Sequence, residues 1–342
     1  MAKNATLKDV AEKAGVSTAT ASRMINNSGY VSHEVRLRID KAMKSLNYKP
    51  NRVARRLRAK GGDRKLLGLL IPDIQNPFYV EVIRGVEDAV YANDYAVFIC
   101  NYAQNYEKEK FYLNILKSES IDGLIVAPFS EDDKIVEALV RQGLPIVCVD
   151  RGLVNVEADL VVIDNVKAAE MAVDHLIGLG HTRIGFAGGL YTIPTSRTRR
   201  DGYLNSLEKA GIPIDEELIH FGDSKHDSGK KIAEQLIRMK HPPTAIFTSN
   251  NVITLGALEL IHSHGIKIPE EMAIVGFDDM YWSISLNPPL TAVLQPGYEI
   301  GKQAVEMLFS RLSEPDRETR KIVLNTRLMI RKSCGSMPNA PV

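Results

Sequence analysis

Thr18, Ala19, Ser22, Arg23 and Asn26 fall on one face of the helical stretch that follows Ser17, and Ala21, Met24 and Ile25 fall on the other. The first face carries hydroxyls, a methyl, a guanidinium and a carboxamide. Such groups read base edges in a DNA major groove: Arg forks onto guanine, Asn onto adenine, and Ala or Thr methyls meet thymine. A second cluster follows in "YKPNRVARRLRAKGG" (48–62), which sets Arg52, Arg55, Arg56 and Arg58 around a stripe of Val53, Ala54 and Leu57 and ends on two glycines.

The 342-residue chain has a formal net charge of only +1, and that balance hides a split. Residues 1–60 hold 14 Lys/Arg against 4 Asp/Glu, a net +10, whereas the rest holds 29 against 38, a net −9. A basic module with apolar periodicity is built for a polyanion, and nucleic acid fits it better than a solvated charge run does.

Elements must present those residues. Thr6 is placed to cap a helix with apolar Leu7, Val10, Ala11 and Ala14, which Gly15 ends. Ser17 caps the next, and a third follows Ser32 with Val35, Ile39, Ala42, Met43 and Leu46 inward, running until Pro50 stops it. Two short helices joined by a tight turn and backed by a third make a helix-turn-helix.

From Leu66 the pattern becomes α/β. The runs "LLGLLIP", "YAVFICN", "IDGLIVA", "LPIVCVD", "RIGFAGG", "TAIFTSN" and "MAIVGFD" alternate with amphipathic segments, which predicts parallel sheets covered on both faces and, from the number of strands, two lobes. Polar residues recur at the carboxyl ends of these strands: Asp73 and Asn76, Asp150 and Arg151, Asn250 and Asn251, Asp278 and Asp279. In open α/β sheets ligands bind just beyond those ends. The competing reading is helix capping, which carries at least equal weight for Asn251 and Asp279.

Several classes are excluded. No run approaches the ~20 apolar residues of a membrane span, and the polar start "MAKNATLKDV" lacks a secretory core, so a cytoplasmic protein is expected. Cys100, Cys148 and Cys334 are widely spaced and odd in number, which suits reduced thiols rather than a disulfide frame or a metal site. There is no phosphate-binding GxxxxGK[ST] loop, no HExxH and no GxSxG, and "GLGHTRIG" (178–185) sits after a helix instead of after a strand. His262 and His264 read as solvated. The expectation is a non-enzyme with no catalytic residues, metal or cofactor.

Residues 5–58, "ATLKDVAEKAGVSTATASRMINNSGYVSHEVRLRIDKAMKSLNYKPNRVARRLR", strongly resemble the DNA-binding headpiece of the lactose/galactose repressor (LacI/GalR) family. The one departure in helix two is Ala21, where the family usually has Val. "IPDIQNPFY", "VCVDR", "SRTRRDGY", "PTAIFTSNN", "GIKIPEEMAIVGFDD" and "PPLTAVLQP" extend the likeness through the chain. The resemblance implies an all-α headpiece followed by a periplasmic-binding-protein-like core of two Rossmann-like lobes. The divisions it implies are a headpiece over 1–49, a hinge helix and linker over 50–63, an N-lobe over 64–164 plus about 293–323, a C-lobe over 165–292 plus about 324–334, and a tail over 335–342.

It also implies roles for individual residues. DNA contacts would come from Thr6, Ser17, Thr18, Ala19, Thr20, Ser22, Arg23, Asn26 and Tyr30, and in the hinge from Asn51, Val53, Ala54 and Leu57, with Leu57 wedged into the central base step of the minor groove. An effector cleft would use Phe78 and Tyr79 as aromatic walls together with Asp150, Arg199, Asn250, Asp278 and Gln295. Ser224 stands where relatives often have an aromatic residue, and Asn251 where they commonly have Asp.

The function expected is a sequence-specific regulator, a repressor, that binds palindromic operator DNA as a homodimer under control of a small-molecule effector: a sugar, sugar derivative or other metabolite. No leucine heptads precede the C-terminus to form a tetramerising coil. Two alternatives remain at this stage. One is a regulator of the same fold controlled by a protein partner such as a phosphocarrier protein. The other, which the missing catalytic groups disfavour, is a carbohydrate-binding module or enzyme with a fused headpiece.

Overall fold

The computed structural model describes residues 5–25, 29–46, 48 and 65–335, in two compact units that divide between Arg64 and Lys65. The N-terminal unit contains α1 (Leu7–Ala14), α2 (Thr18–Ile25) and α3 (His33–Ser45). A capping box starts α1: Thr6 Oγ1 accepts the Asp9 N–H at 3.3 Å, and Asp9 Oδ2 accepts the Thr6 N–H at 2.7 Å. Gly15 ends it at φ 64°, a left-handed position that glycine takes without strain. Val10, Ala11, Ala14, Ala21, Ile39 and Ala42 form the buried centre, with Met24, Ile25, Val35, Met43 and Leu46 packed around them. Helix α3 stops earlier than Pro50 requires. The chain turns at Leu46, the Tyr48 N–H bonds to the Met43 carbonyl at 2.9 Å, and Tyr48 joins the core.

The second unit holds two six-stranded sheets. The first is built from β1 (Leu66–Ile71), β2 (Ala96–Asn101), β3 (Gly123–Val126), β4 (Ile146–Val149), β5 (Asp159–Ile163) and β11 (Lys321–Leu324), all parallel, in the order β11-β5-β4-β3-β1-β2. The second is built from β6 (Ile184–Gly188), β7 (Ile219–Phe221), β8 (Ala245–Thr248), β9 (Ala273–Phe277), β10 (Thr291–Leu294) and β12 (Arg327–Met329), in the order β12-β10-β9-β8-β6-β7, with only β12 antiparallel. Around the first sheet lie α4 (Pro77–Ala92), α5 (Tyr106–Ser118), α6 (Lys134–Arg141) and α11 (Gly297–Ser313). Around the second lie α7 (Asn165–Gly178), α8 (Pro194–Lys209), α9 (His226–Ile237) and α10 (Asn251–Ser263).

Close helix crossings fix these layers. Gly229 of α9 and Gly256 of α10 face each other's backbones, and a Cβ on either would collide with the carbonyl oxygen of Ile253 or His226. The chain passes between lobes at Asp164, at 295–296 and at 325–326. The second crossing lies past the expected 293, because Thr291–Val293 pair residue for residue with Val275–Phe277 and keep β10 in the second sheet. The run "KIVLNTRLMIRKS", continuous in hydropathy, divides at 325–326 into strands of different sheets. Strands β5, β7 and β10 are not among the seven apolar runs of the sequence.

Candidate functional site

On α2 the backbone N–H of Thr20 donates to Ser17 Oγ at 3.1 Å, and the two hydroxyls are 2.8 Å apart. The hydroxyls of Ser17 and Thr20 thus take part in starting the helix that presents the face. Thr18, Ala19 and Arg23 are exposed, Thr20 and Ser22 half-buried, so the described part of the candidate reading face opens to solvent while Ala21 is sealed beneath it. Thr6 is exposed, with its hydroxyl donating to Asp9 Oδ2 at 2.8 Å, and Tyr30 is fully open to solvent. Asn26, Asn51, Val53, Ala54 and Leu57, with the rest of the hinge stretch, lie outside the described residues.

In the core, Phe78, Tyr79, Asp150, Arg199, Asn250, Asp278 and Gln295 line one cleft between the two sheets, beyond the carboxyl ends of β1, β4, β8 and β9. Asp150 and Asp278 occupy corresponding positions after β4 and β9, at φ 66° and 69°. Such left-handed backbone, tolerated by Asp better than by most residues, aims both carboxylates into the gap. Gln295 sits in the second lobe crossing and donates its amide to Asp278 Oδ1.

Arg199 reaches the cleft from α8. Its Nε donates to Asn165 Oδ1 at 2.8 Å, its Nη1 to the Ser249 carbonyl at 2.6 Å, and its guanidinium lies over the Phe277 ring. Burial pushes the Asp278 carboxyl above its ordinary range, against the pull of the Arg199 charge and the Gln295 hydrogen bond. Opposite, Asp150 Oδ2 accepts from the Tyr79 hydroxyl at 3.1 Å and from Arg151 Nη1 at 2.8 Å. Arg151 also donates to the Tyr102 hydroxyl at 3.0 Å and to the Pro128 carbonyl. The cleft floor is therefore a buried, satisfied ion pair, which holds its geometry in place.

Tyr79 lines the cleft with its hydroxyl tied to Asp150, where burial raises its pKa, and its ring packs edge-on against Phe78 at 5.0 Å. Two expectations change. The cap of α10 is Asn250, whose Oδ1 accepts the Ile253 N–H at 2.7 Å, and Asn251 is the first residue of the helix. Asp279 makes a bidentate pair with Arg331 at 2.6 and 2.8 Å and caps nothing. Sequence reasoning also missed two bridges between lobes. Asn251 Nδ2 donates to Asn76 Oδ1 at 3.0 Å, and Arg197 Nη2 pairs with Glu131 at 2.9 Å. With these bridges made, the cavity is about 50 Å³, room for a few waters.

Residues 6–51 match the model of bacterial regulatory proteins of the lacI family, and 173–334 match a periplasmic binding protein-like domain. The HTH-type transcriptional repressor PurR of Aliivibrio salmonicida is 34% identical over 330 residues, 96% of this chain and 98% of that protein. The chain belongs to the LacI family. Membership makes it a DNA-binding transcriptional repressor and not an enzyme. Among solved LacI-family structures, the lac repressor dimer bound to operator and the anti-inducer ONPF superposes at a TM-score of 0.83 with 26% identity, covering 97% of this chain and 99% of that one. The transcriptional regulator CelR in complex with cellobiose superposes at 0.73 with 29% identity, covering 96% and 99%. No described helix is long and apolar enough to cross a membrane.

Proposed function

We propose that this LacI-family regulator acts in the cytoplasm as a homodimer on a two-fold operator, and that a sugar or sugar derivative in the inter-lobe cleft sets its grip on DNA. Residues 1–49 would read the bases, 50–63 would form the hinge, and the two lobes would bind effector between them. The carrying observation is the convergence of Asp150, Arg199, Asp278 and Gln295 beyond the strand ends, where closure of the lobes changes every distance across the gap. Among the described residues Phe78 and Tyr79 are the only rings lining the cleft, and Ser224, whose Oγ accepts the Leu190 N–H at 2.8 Å, occupies the other side. A cleft of hydroxyls, amides and carboxylates with rings on one side only suits a polyhydroxylated ligand better than a purine stacked on both faces.

The dimer reading is supported by the edge of the first sheet. Phe98 and Ile99 on the edge strand β2 are about two-fifths exposed, and Phe111 and Tyr91 on the helices flanking the sheet more so. An apolar edge of this kind calls for a partner. The test is a thermal-shift screen of the full chain against sugars, sugar acids, sugar phosphates and nucleobases, followed by operator titration with any ligand that stabilises it. A sugar-class ligand that shifts both stability and operator affinity is the expected result. Stabilisation by nucleobases alone would sink the ligand class, and response only to a phosphocarrier protein would sink small-molecule control.

A further inference from the structure

The segment 127–133, which joins β3 to α6, has no regular structure yet is tied down at almost every residue. The Tyr102 hydroxyl donates to the Ala127 carbonyl at 2.9 Å, and Arg151 donates to the Pro128 carbonyl. The Phe129 N–H donates to Glu109 Oε1 at 3.0 Å, and the Val154 N–H to the Glu131 carbonyl at 2.8 Å. Asp133 caps α6, its Oδ1 accepting the N–H groups of Ile135 and Val136 at 3.0 and 3.1 Å. The same segment carries Glu131 across the cleft to Arg197.

Two of these ties end on acids with no access to water. Glu109, on α5, is 0% exposed and Asp133 is 1% exposed. Each spends one carboxyl oxygen on backbone N–H groups. The other oxygens, Glu109 Oε2 and Asp133 Oδ2, are sealed and receive no N–H or hydroxyl donor, and the two side chains are within hydrogen-bonding reach of each other. Two ionised carboxylates cannot be buried face to face without a compensating charge. Arg151, the cation whose charge acts on Glu109, is already paired with Asp150, and Lys134 reaches outward to Glu137. The other titratable neighbours, Tyr102, Tyr106 and the Cys148 thiol of β4, which burial and then the Asp133 charge push up to about 12, offer no charge at neutral pH, and Tyr106 packs its ring on Phe129.

We propose that Glu109 and Asp133 share one proton in a buried carboxyl–carboxylate hydrogen bond, and that this bond positions the 127–133 segment and its Glu131 bridge over the cleft. The regulatory consequence rests on the cleft being the effector site. The proton itself does not. Burial, then the Asp133 charge, push the Glu109 carboxyl up to about 9, against the weaker pull of the Phe129 N–H and Arg151. The pair therefore keeps its proton through neutral pH. A folded value raised above the unfolded one confers stability that is complete below the unfolded carboxyl range and declines as pH rises toward 9.

The test compares the full-length protein with Glu109→Gln and Glu109→Ala. Glutamine donates an N–H to Asp133 with no titratable proton, so it should restore the bond and remove its pH dependence. For the parent, unfolding should release about one proton between pH 5 and 9, and infrared difference spectra at pH 7 should contain a protonated-carboxyl band that Glu109→Gln lacks. At pH 7, amide exchange over 129–133 should speed up in Glu109→Ala and match the parent in Glu109→Gln. An unchanged pH profile in Glu109→Gln, absence of the band in the parent, or loss of stability on adding a chelator, which would place a cation between the acids, overturns the proposal. These readouts use no effector, so a sugar that still binds when they fail leaves the cleft reading standing. A protonated pair in a protein that no small molecule stabilises would overturn the cleft reading alone.

Discussion

The guanidinium carbon of Arg199 lies 3.7 Å from the centroid of the Phe277 ring, one strand residue before the cleft carboxylate Asp278. The ring supports the cation from one face while Asn165 and the Ser249 carbonyl orient its edge, so a planar fork is presented to the cleft at fixed geometry. Arg199→Ala is expected to abolish the effector's influence on operator binding, removing a coupling of about 1–3 kcal/mol, with effector-free operator affinity unchanged. Arg199→Lys, which keeps the charge but not the fork, should respond weakly. Operator titrations with and without the ligand found by thermal-shift screening decide it. A parent-like shift in Arg199→Ala would remove Arg199 from the effector site.

Arg23 is the exposed guanidinium of α2, on the face proposed to read bases. Arg23→Ala should weaken operator binding by roughly 1–3 kcal/mol and relax preference at one base pair in each half-site. Equal losses on operator and random DNA would show that Arg23 touches phosphate only.

The net +10 of residues 1–60 should make DNA binding fall steeply with salt, with a log–log slope on the order of −5 or steeper for a dimer. Leu57→Ala removes an apolar side chain and no charge. Operator affinity and DNA bending should drop, while nonspecific affinity and its salt slope stay. A gel-shift salt series with bending probes measures both, and parent-like bending by Leu57→Ala would reduce the 50–63 stretch to a basic linker.

Asp159, at the start of β5, is buried and takes bidentate bonds from both Arg311 (3.1 and 3.1 Å) and Arg317 (2.9 and 2.7 Å). Burial works to raise its pKa, but the bonds from Arg317 and Arg311 and from the Arg320 N–H together outweigh it and hold the carboxyl below the usual range. Asp159→Asn leaves two arginines against a neutral group and should cost about 3–5 kcal/mol. The sign for pH follows from the depressed value. This stabilisation is complete above the unfolded carboxyl range and is lost as pH falls below about 4. Chemical unfolding between pH 5 and pH 2 should show the parent losing stability that Asp159→Asn never had; equal acid sensitivity in both would refute the assignment.

The sequence alone determined whatever depends on neighbours along the chain. Thr6, Gly15 and Ser17 mark helix ends because caps are satisfied within three or four residues. Of the seven apolar runs that became strands, six are buried on both faces, which needs unbroken apolar residues, and the seventh, β2, is a partly exposed sheet edge; the basic charge of 1–60 needs no folding to be counted. Of the seven cleft residues, Asp150, Asn250 and Asp278 were legible because parallel topology delivers strand ends to one edge, whereas Phe78, Tyr79, Arg199 and Gln295 came only with the family resemblance. Tertiary structure decided what depends on partners far apart. Asp159 meets Arg311 and Arg317 across 152 and 158 residues. Glu109, one of two acids in "YEKEKFYLNILKS", is sealed where the 127–133 segment packs against it. "KIVLNTRLMIRKS" splits because β5 and β10 each lack a neighbour on one edge, and neither edge exists until its sheet is assembled. Periodicity and capping are short-range terms that the order of residues already contains, whereas desolvation and pairing across the cleft act only once the surrounding chain has excluded water.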